Sequence, residues 1–469
     1  FVYPKSMDSK RLQIRYAEDG GELKDGVVEI RRGVDDLSLG ESHYAQVRIL
    51  VDGTHYIKGM AVYSDDLPDG VDVMFNTNKK KETPKMDVLK PIKDDPDNPF
   101  GSLIKEGIND PDNPTTERGG QSYYYDKNGK KQLSLINKRA EEGDWGEWAD
   151  KLPSQFLSKQ SRTLIKKQLN LAAADKQSEF DEICSLTNPT VKKVLLKSFA
   201  DDCDAAAVHL QAAALPRQKY QVILPLTSIK DNEVYAPNYK NGETVALVRY
   251  PHGGTFEIPI LTVNNKQPEG RRVLGNTPAD AIGINKKVAD RLSGADFDGD
   301  TVMVIPCNSS NSRVKITSTP QLKGLEGFDP KMSYGTVKKG DDYYNSSGQK
   351  IKIMKNTQTE MGKISNLITD MTLKGATQDE LARAVRHSMV VIDAEKHKLD
   401  YKKSEQDNGI TALKKKYQAH EDDDGYGGAS TLISRAKSET SVLKRKGSPI
   451  IDKETGEQSW KSVREEYVD

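Results

Sequence analysis

Between positions 11 and 75 the apolar residues recur in short runs with the two-residue alternation of half-buried strands. "RLQIRYA" (11–17), "GVVEIRR" (26–32), "YAQVRILV" (44–51), "MAVY" (60–63) and "VDVMF" (71–75) are rich in Val, Ile and Tyr and are separated by Gly and Asp. They predict a compact β domain over 1–92. The pattern changes over 93–218. "DPDNP" occurs at 95–99 and again at 110–114, where Pro and Asn mark turns, and the copies are too short to be structural repeats. A hairpin signal follows at "YYYDKNGKK" (123–131), and from 135 to 215 Ala, Leu, Lys and Gln recur at helical spacing, which predicts a helical connector. Strand patterning returns over 219–310 with "YQVILPL", "ETVALVRY", "FEIPILTV" and "TVMVIP". It is interrupted by a short helix starting near Asn285, whose side chain is suited to cap it. Region 311–469 reads as mainly helical. Thr357 and Glu360 have the spacing of a capping box ahead of a helix with Met361, Ile364, Ile368 and Met371 on one face, and Thr377 with Glu380 repeats the device. "DDDGYGGAS" (422–430) predicts a loose tether.

Composition narrows the class. A chain of 469 residues exceeds what one core usually serves, so two or more domains are expected. It begins at Phe1 without a charged-then-apolar leader, which reads as a fragment or a processed chain with no secretory signal. No run of 18 apolar residues occurs and 30% of residues are charged, so the expectation is no membrane association and a cytoplasmic location. Cys184, Cys203 and Cys307 are scattered without CxxC spacing; they offer no zinc site and read as packing residues in a reducing compartment. Lys plus Arg and Asp plus Glu both number 70, so net charge neither favours nor disfavours nucleic acid. Basic runs at 78–85, 164–168, 413–417 and 443–447 read first as solvated faces.

The candidate chemistry lies in "SGADFDGDTVMVIPC" (293–307), where Asp296, Asp298 and Asp300 alternate ahead of a strand. Two carboxylates about 4 Å apart repel by roughly 4 kcal/mol at an effective dielectric near 20, so three together call for a cation or raised pKa values. On an extended strand Asp296 and Asp300 would stand about 13 Å apart, too far to share an ion. The segment is therefore expected to curl, with Gly299 at positive φ and "TVMVIP" anchoring it to a rigid strand. Oxygen-only ligands suit Mg²⁺ better than zinc. An EF-hand fails, because Thr301 and Cys307 occupy the positions that would need Gly and Glu. A haloacid-dehalogenase-type phosphatase is disfavoured, because "VADRLSGA" rather than a hydrophobic strand precedes the motif and Asp300 replaces its threonine. A solvated acidic turn is the bland alternative.

The longer string "VADRLSGADFDGDTVMVI" (288–305) resembles the catalytic loop of the two-barrel RNA polymerases, the superfamily of double-psi β-barrels, with "DFDGD" as its signature. The resemblance extends to phage-encoded single-chain RNA polymerases of the YonO type and to RNA-dependent RNA polymerases of RNA silencing. It implies an α+β fold of two double-psi β-barrels joined by a helical connector, with a helical C-terminal region. It also implies that Asp296, Asp298 and Asp300 hold Mg²⁺ for an RNA 3'-hydroxyl. Cellular polymerases have an asparagine where this chain has Gly294, so its part in ribose selection does not carry over. "ALVRYPHGG" (246–254) is similar to a segment whose arginine reaches the nucleotide ribose, which implicates Arg249. "QIRYAEDGGELKDGVVEI" (13–30) and "YIKGMAVYSDDLPDGVDVMFN" (56–76) resemble first-barrel segments and imply Lys24 and Lys58 as phosphate-directed lysines. "MGKISNLITDM" (361–371) and "VVIDAEKHKLD" (390–400) resemble segments that follow the acidic motif in RNA-dependent RNA polymerases.

The expectation is a template-directed RNA polymerase that transfers nucleotides from ribonucleoside triphosphates to an RNA 3'-hydroxyl on a DNA template, in the cytoplasm of a host cell if phage-encoded. An RNA template, a Mg²⁺-dependent phosphohydrolase and a non-catalytic nucleic-acid-binding barrel protein are the alternatives. Oligomeric state is not legible.

Overall fold

The computed structural model describes residues 3–97, 99–100, 111–112, 120–138, 162–208, 219–249, 257–310, 320–418, 449–451 and 458–460. The chain divides into two compact units, one of 1–148, 217–247 and 259–317, the other of 149–216, 248–258 and 318–469. The architecture is mixed α+β with two large sheets.

The first sheet has nine strands among the described residues: β1 (Ser6–Met7), β2 (Leu12–Arg15), β3 (Val27–Arg31), β4 (Tyr44–Val51), β5 (His55–Ser64), β6 (Val73–Asn76), β7 (Lys90–Pro91), β8 (Gly120–Tyr125) and β9 (Lys131–Lys138). Its order is β2-β6-β3-β5-β4-β9-β8, with β1 on β4 and β7 on β5. Parallel pairs (β2–β6, β3–β5) sit among antiparallel ones (β3–β6, β4–β5), so neighbours in the sheet are often distant in the chain. One face buries Ile30, Val47, Ile49, Val51, Ile57 and Val73. The helical spacing read from 135 onward does not hold at its start. Leu135 and Ile136 extend strand β9 and bury fully in that core, because the hairpin gains more by continuing the sheet than by turning into a helix.

The second sheet runs β11-β13-β12-β15-β10-β14, built from β10 (Lys219–Pro225), β11 (Glu233–Val234), β12 (Thr244–Arg249), β13 (Ile260–Val263), β14 (Ala281–Ile284) and β15 (Thr301–Pro306). Tyr235 and Gly283 exchange two backbone hydrogen bonds of 2.9 Å, which nearly closes the sheet on itself between β11 and β14. Val27, Met60 and Val62 of the first sheet share one core with Ile223, Leu247, Val302 and Phe297. The two sheets are therefore held by apolar burial, and the loops at their junction have fixed places.

The second unit is largely helical. Ile364, Ile368 and Met371 on the helix Thr357–Leu373 pack with Leu381 and Val385 of the helix Gln378–His397, and Met361 lies partly buried beside them. Thr377 and Glu380 form the expected capping box. Thr357 does not cap. The helix begins at Thr357 itself, and its hydroxyl donates instead to Glu395 at 2.6 Å. A two-stranded ribbon, Val337–Lys339 with Asp342–Tyr344, interrupts a region expected to be helical. "DDDGYGGAS" and the basic run at 443–447 lie outside the described residues. The run at 78–85 is partly absorbed by structure: Lys79 donates to the Asp87 carbonyl, Lys81 pairs with Asp19 and Lys85 donates to the Ser9 carbonyl. Cys307 is buried, Cys184 packs beside Phe180 and Ile183, and the two are not joined by a disulfide; the side chain of Cys203 lies outside the described residues. No described helix is long and apolar enough to cross a membrane.

Candidate active site

The acidic loop is shaped at both ends by short-range chemistry. Asn285 accepts a hydrogen bond from the Lys287 N–H at 2.9 Å and so caps the helix Lys286–Arg291. Ser293 and Gly294 then both take φ of 62°, which turns the chain sharply out of the helix. Ala295 and Phe297 are fully buried in the shared core, while Asp296, Asp298 and Asp300, at the alternating positions, are half-buried. The apolar pair thus anchors a loop whose carboxylates stay outside the core. The curl expected from the spacing is present: the Asp296 N–H donates to Asp300 Oδ2 at 3.1 Å and the Asp298 N–H donates to Asp296 Oδ1 at 3.2 Å. One carboxylate oxygen from each of the three lies within 4.8 Å of the others. Gly299 has φ of 126°, and a Cβ there would stand 2.2 Å from Gln46 Nε2. On the other side the Ile223 N–H donates to the Asp300 carbonyl at 3.0 Å, tying the loop to β10.

The first sheet completes the site. The Phe297 N–H donates to the Asp25 carbonyl at 2.7 Å, and Gln46 Nε2 donates to the Asp298 carbonyl at 3.3 Å. Gly26, with φ of 94°, lies so close that a Cβ would stand 2.6 Å from the Asp298 backbone nitrogen. Lys58 on β5 places Nζ 3.1 Å from Asp298 Oδ2. Lys24 is directed elsewhere. Its Nζ lies 3.1 Å from Glu29 Oε1, and Glu29, buried on β3, also pairs with Arg15 and accepts from Asn76. Arg249 is buried at the end of β12, in a stretch belonging to the second unit, and the "PHGG" that follows it lies outside the described residues.

Electrostatics separate the three carboxyls. Burial, reinforced by the charges of Asp300 and Asp298, pushes Asp296 up to about 8. Burial also raises Asp298, but the Lys58 ammonium and a hydrogen bond from Asp296 outweigh it and leave Asp298 below the ordinary carboxylate range. Asp25 is held above that range by burial, with Asp298 adding to the effect and the Asn78 N–H and Lys286 opposing it. Full ionisation of the cluster would therefore place more negative charge there than its surroundings accept, and at neutral pH Asp296 holds a proton. Three convergent, half-buried, oxygen-only donors fit a hard divalent cation, with Asp296, Asp298 and Asp300 as its ligands.

Among solved structures, the chain is similar to the RNA dependent RNA polymerase QDE-1 from Thielavia terrestris, with a TM-score of 0.43 and 12% sequence identity over 92% of this chain and 52% of that one. The chain thus spans about half the length of that protein's structure. No family model and no curated protein matches it. A similarity of this size transfers no function, so the chemistry stands on the site's own residues.

Sequence reasoning missed Asp25, Gly26 and Gln46, which position the acidic loop, and Lys90, whose charge helps to keep Asp298 ionised. A signal existed for Gln46. In "YAQVRILV" the polar Gln46 and Arg48 alternate with Val47 and Ile49, which marks a strand with one apolar face and one face turned to something polar. No such signal marks Lys90, which lies on a two-residue strand.

Proposed function

We propose that the chain is a template-directed RNA polymerase that joins ribonucleoside triphosphates to an RNA 3'-hydroxyl, built on two double-psi β-barrels. The observation that carries the reading is the convergence of Asp296, Asp298 and Asp300 with the Lys58 ammonium on Asp298, in a loop whose sequence resembles that family's catalytic loop. Phosphoryl transfer asks a protein mainly for positioning and charge neutralisation, and these residues supply both. Bound at the three aspartates, Mg²⁺ would supply Lewis acidity that lowers the pKa of an attacking hydroxyl. Asp296, Asp298 and Asp300 hold the site, and Lys58 orients Asp298 while offering a positive charge to phosphate. Ala295 and Phe297 fix the loop from beneath, and Gly26, Asp25 and Gln46 fix it from the first sheet. The template is assigned as DNA on the resemblance to phage single-chain enzymes.

The test is incorporation of labelled ribonucleotide on DNA and RNA templates, with Mg²⁺ and with EDTA, by the parent protein and by Asp298→Ala. Template-dependent extension that EDTA and the substitution both abolish is expected. Extension on RNA alone would reassign the template, hydrolysis of a phosphate ester without extension would replace the polymerase by a phosphohydrolase, and full elongation by Asp298→Ala would end the assignment.

A further inference from the structure

The helices Arg162–Ser185 and Pro189–Val208 form a hairpin whose second helix is apolar on two faces. One face closes the hairpin. Phe180 and Ile183 of the first helix bury against Phe199 of the second, with Cys184 and Leu196 beside them, and the Phe180 and Phe199 rings meet with centroids 5.7 Å apart. The turn is pinned: Asn188 Oδ1 accepts from the N–H groups of Thr190 and Val191 at 3.0 and 3.1 Å, and Lys192 Nζ donates to the Cys184 carbonyl at 2.6 Å. With Leu196 and Phe199 turned inward, Val191, Val194 and Leu195, at i, i+3 and i+4, make a second stripe on the outer side. That stripe meets solvent. Val194 is 64% exposed, Val191 47% and Leu195 39%, and Leu186 in the turn is 38% exposed. Nine large apolar or aromatic side chains are exposed among the described residues, and four of them fall within 186–195. Single exposed apolar residues are ordinary, whereas a contiguous stripe marks an interaction surface.

Charge chooses among the occupants of this face. Lys193 and Lys197, both exposed, run along one edge of the stripe beside Val194, and neither makes an ion pair with a described residue. No Asp or Glu occurs between Glu182 and Asp201. A second copy of the hairpin laid on this face would therefore bring lysines against lysines. A nucleic-acid strand would find no aromatic ring or arginine in the stripe on which a base could stack. An amphipathic helix with its own i, i+3, i+4 apolar residues and carboxylates along its flank satisfies both features at once.

We propose that the outer face of this hairpin, with Val191, Val194 and Leu195 as its stripe, Leu186 at its end and Lys193 and Lys197 along its edge, docks an acidic amphipathic helix of a partner protein. The stripe supplies apolar burial, and the two lysines set the charge and orientation of what binds. The surface lies in the second unit and does not depend on the polymerase reading.

The test is fluorescence anisotropy on the full chain with two labelled helical peptides of about 20 residues, identical in a leucine stripe at i, i+3, i+4 spacing, one with glutamate and the other with lysine along its flanks. The parent is expected to bind the glutamate peptide about tenfold more tightly than the lysine peptide. Val194→Gln is expected to weaken the glutamate peptide about fivefold, and Lys193→Glu combined with Lys197→Glu to reverse the preference between the peptides. These side chains are exposed, so the variants are expected to melt with the parent, and a reversed preference is a result that lost folding does not produce. No binding of the glutamate peptide, equal binding of both peptides, or a preference unmoved by the charge reversal overturns the proposal. Dimers in sedimentation velocity that Val194→Gln dissolves would overturn it in favour of a second copy, and flotation with phosphatidylglycerol vesicles that Val194→Gln abolishes would overturn it in favour of a membrane surface.

Discussion

Asp296 and Asp298 lie two residues apart in one loop, yet their surroundings push them in opposite directions. Asp298 has the Lys58 ammonium 3.1 Å away, whereas Asp296 faces burial and two like charges. Substitutions at the two positions therefore differ in kind. Removing Asp298 leaves Lys58 without that partner, so the relief of repulsion expected from deleting a carboxylate belongs at Asp296. Asp296→Asn keeps a side-chain oxygen to accept the Asp298 N–H and removes the charge. In EDTA at pH 9, where the parent's Asp296 is ionised, this variant is expected to be more stable than the parent by about 1 kcal/mol, while the proposed Mg²⁺-dependent RNA synthesis falls at least a hundredfold. Urea denaturation and nucleotide incorporation check the two halves, and a destabilised variant would contradict the charge argument.

At the scale of elements, the helix Gln378–His397 carries a pH-sensitive contact. His387 is buried, its Nδ1 lies 3.0 Å from Ser404 Oγ, and burial pushes it down to about 4 against a weaker upward pull from Glu405. The unfolded chain takes up this proton near pH 6.5 and the folded chain only near 4. Unfolding is therefore favoured progressively as pH falls between those values, and the loss approaches about 3 kcal/mol at full effect. Urea midpoints at pH 7 and pH 4.5 are expected to show this drop in the parent and a smaller one in His387→Gln. Equal drops in both would assign the acid sensitivity to other groups.

For the whole molecule, the acidic loop and the turn at Asp25 and Gly26 form one mechanical assembly within the first unit. A cation that binds the folded site stabilises it by mass action, about 1.4 kcal/mol at ten times its dissociation constant. Hydrogen exchange with added Mg²⁺ is expected to slow about tenfold at 293–300 and at Asp25 and Gly26, and to stay unchanged in the helix Gln378–His397 of the second unit. Asp298→Ala should lose this protection. Slowing that is uniform over both units would indicate a nonspecific salt effect instead.

Much of this was legible in one dimension, because it depends on local rules. Alternation of apolar residues located most strands of both sheets, the capping-box spacing located the helix after Thr377, and three aspartates too far apart on an extended strand implied a curled loop. Where local rules competed, the reading slipped. Leu135 and Ile136 satisfy a helical pattern as well as a strand pattern, and only the core they enter decides between them. The companions of the acidic loop are a different matter. Asp25, Gln46, Lys58 and Lys90 reach it through strand pairings and a shared core that join positions more than 200 residues apart. Periodicity determined which residues form strands and which carboxylates are crowded. Long-range register and burial decided that Lys58 faces Asp298 while Lys24 faces Glu29, because the direction of a lysine is fixed by the carboxylate the fold brings near it and not by its own place in the chain.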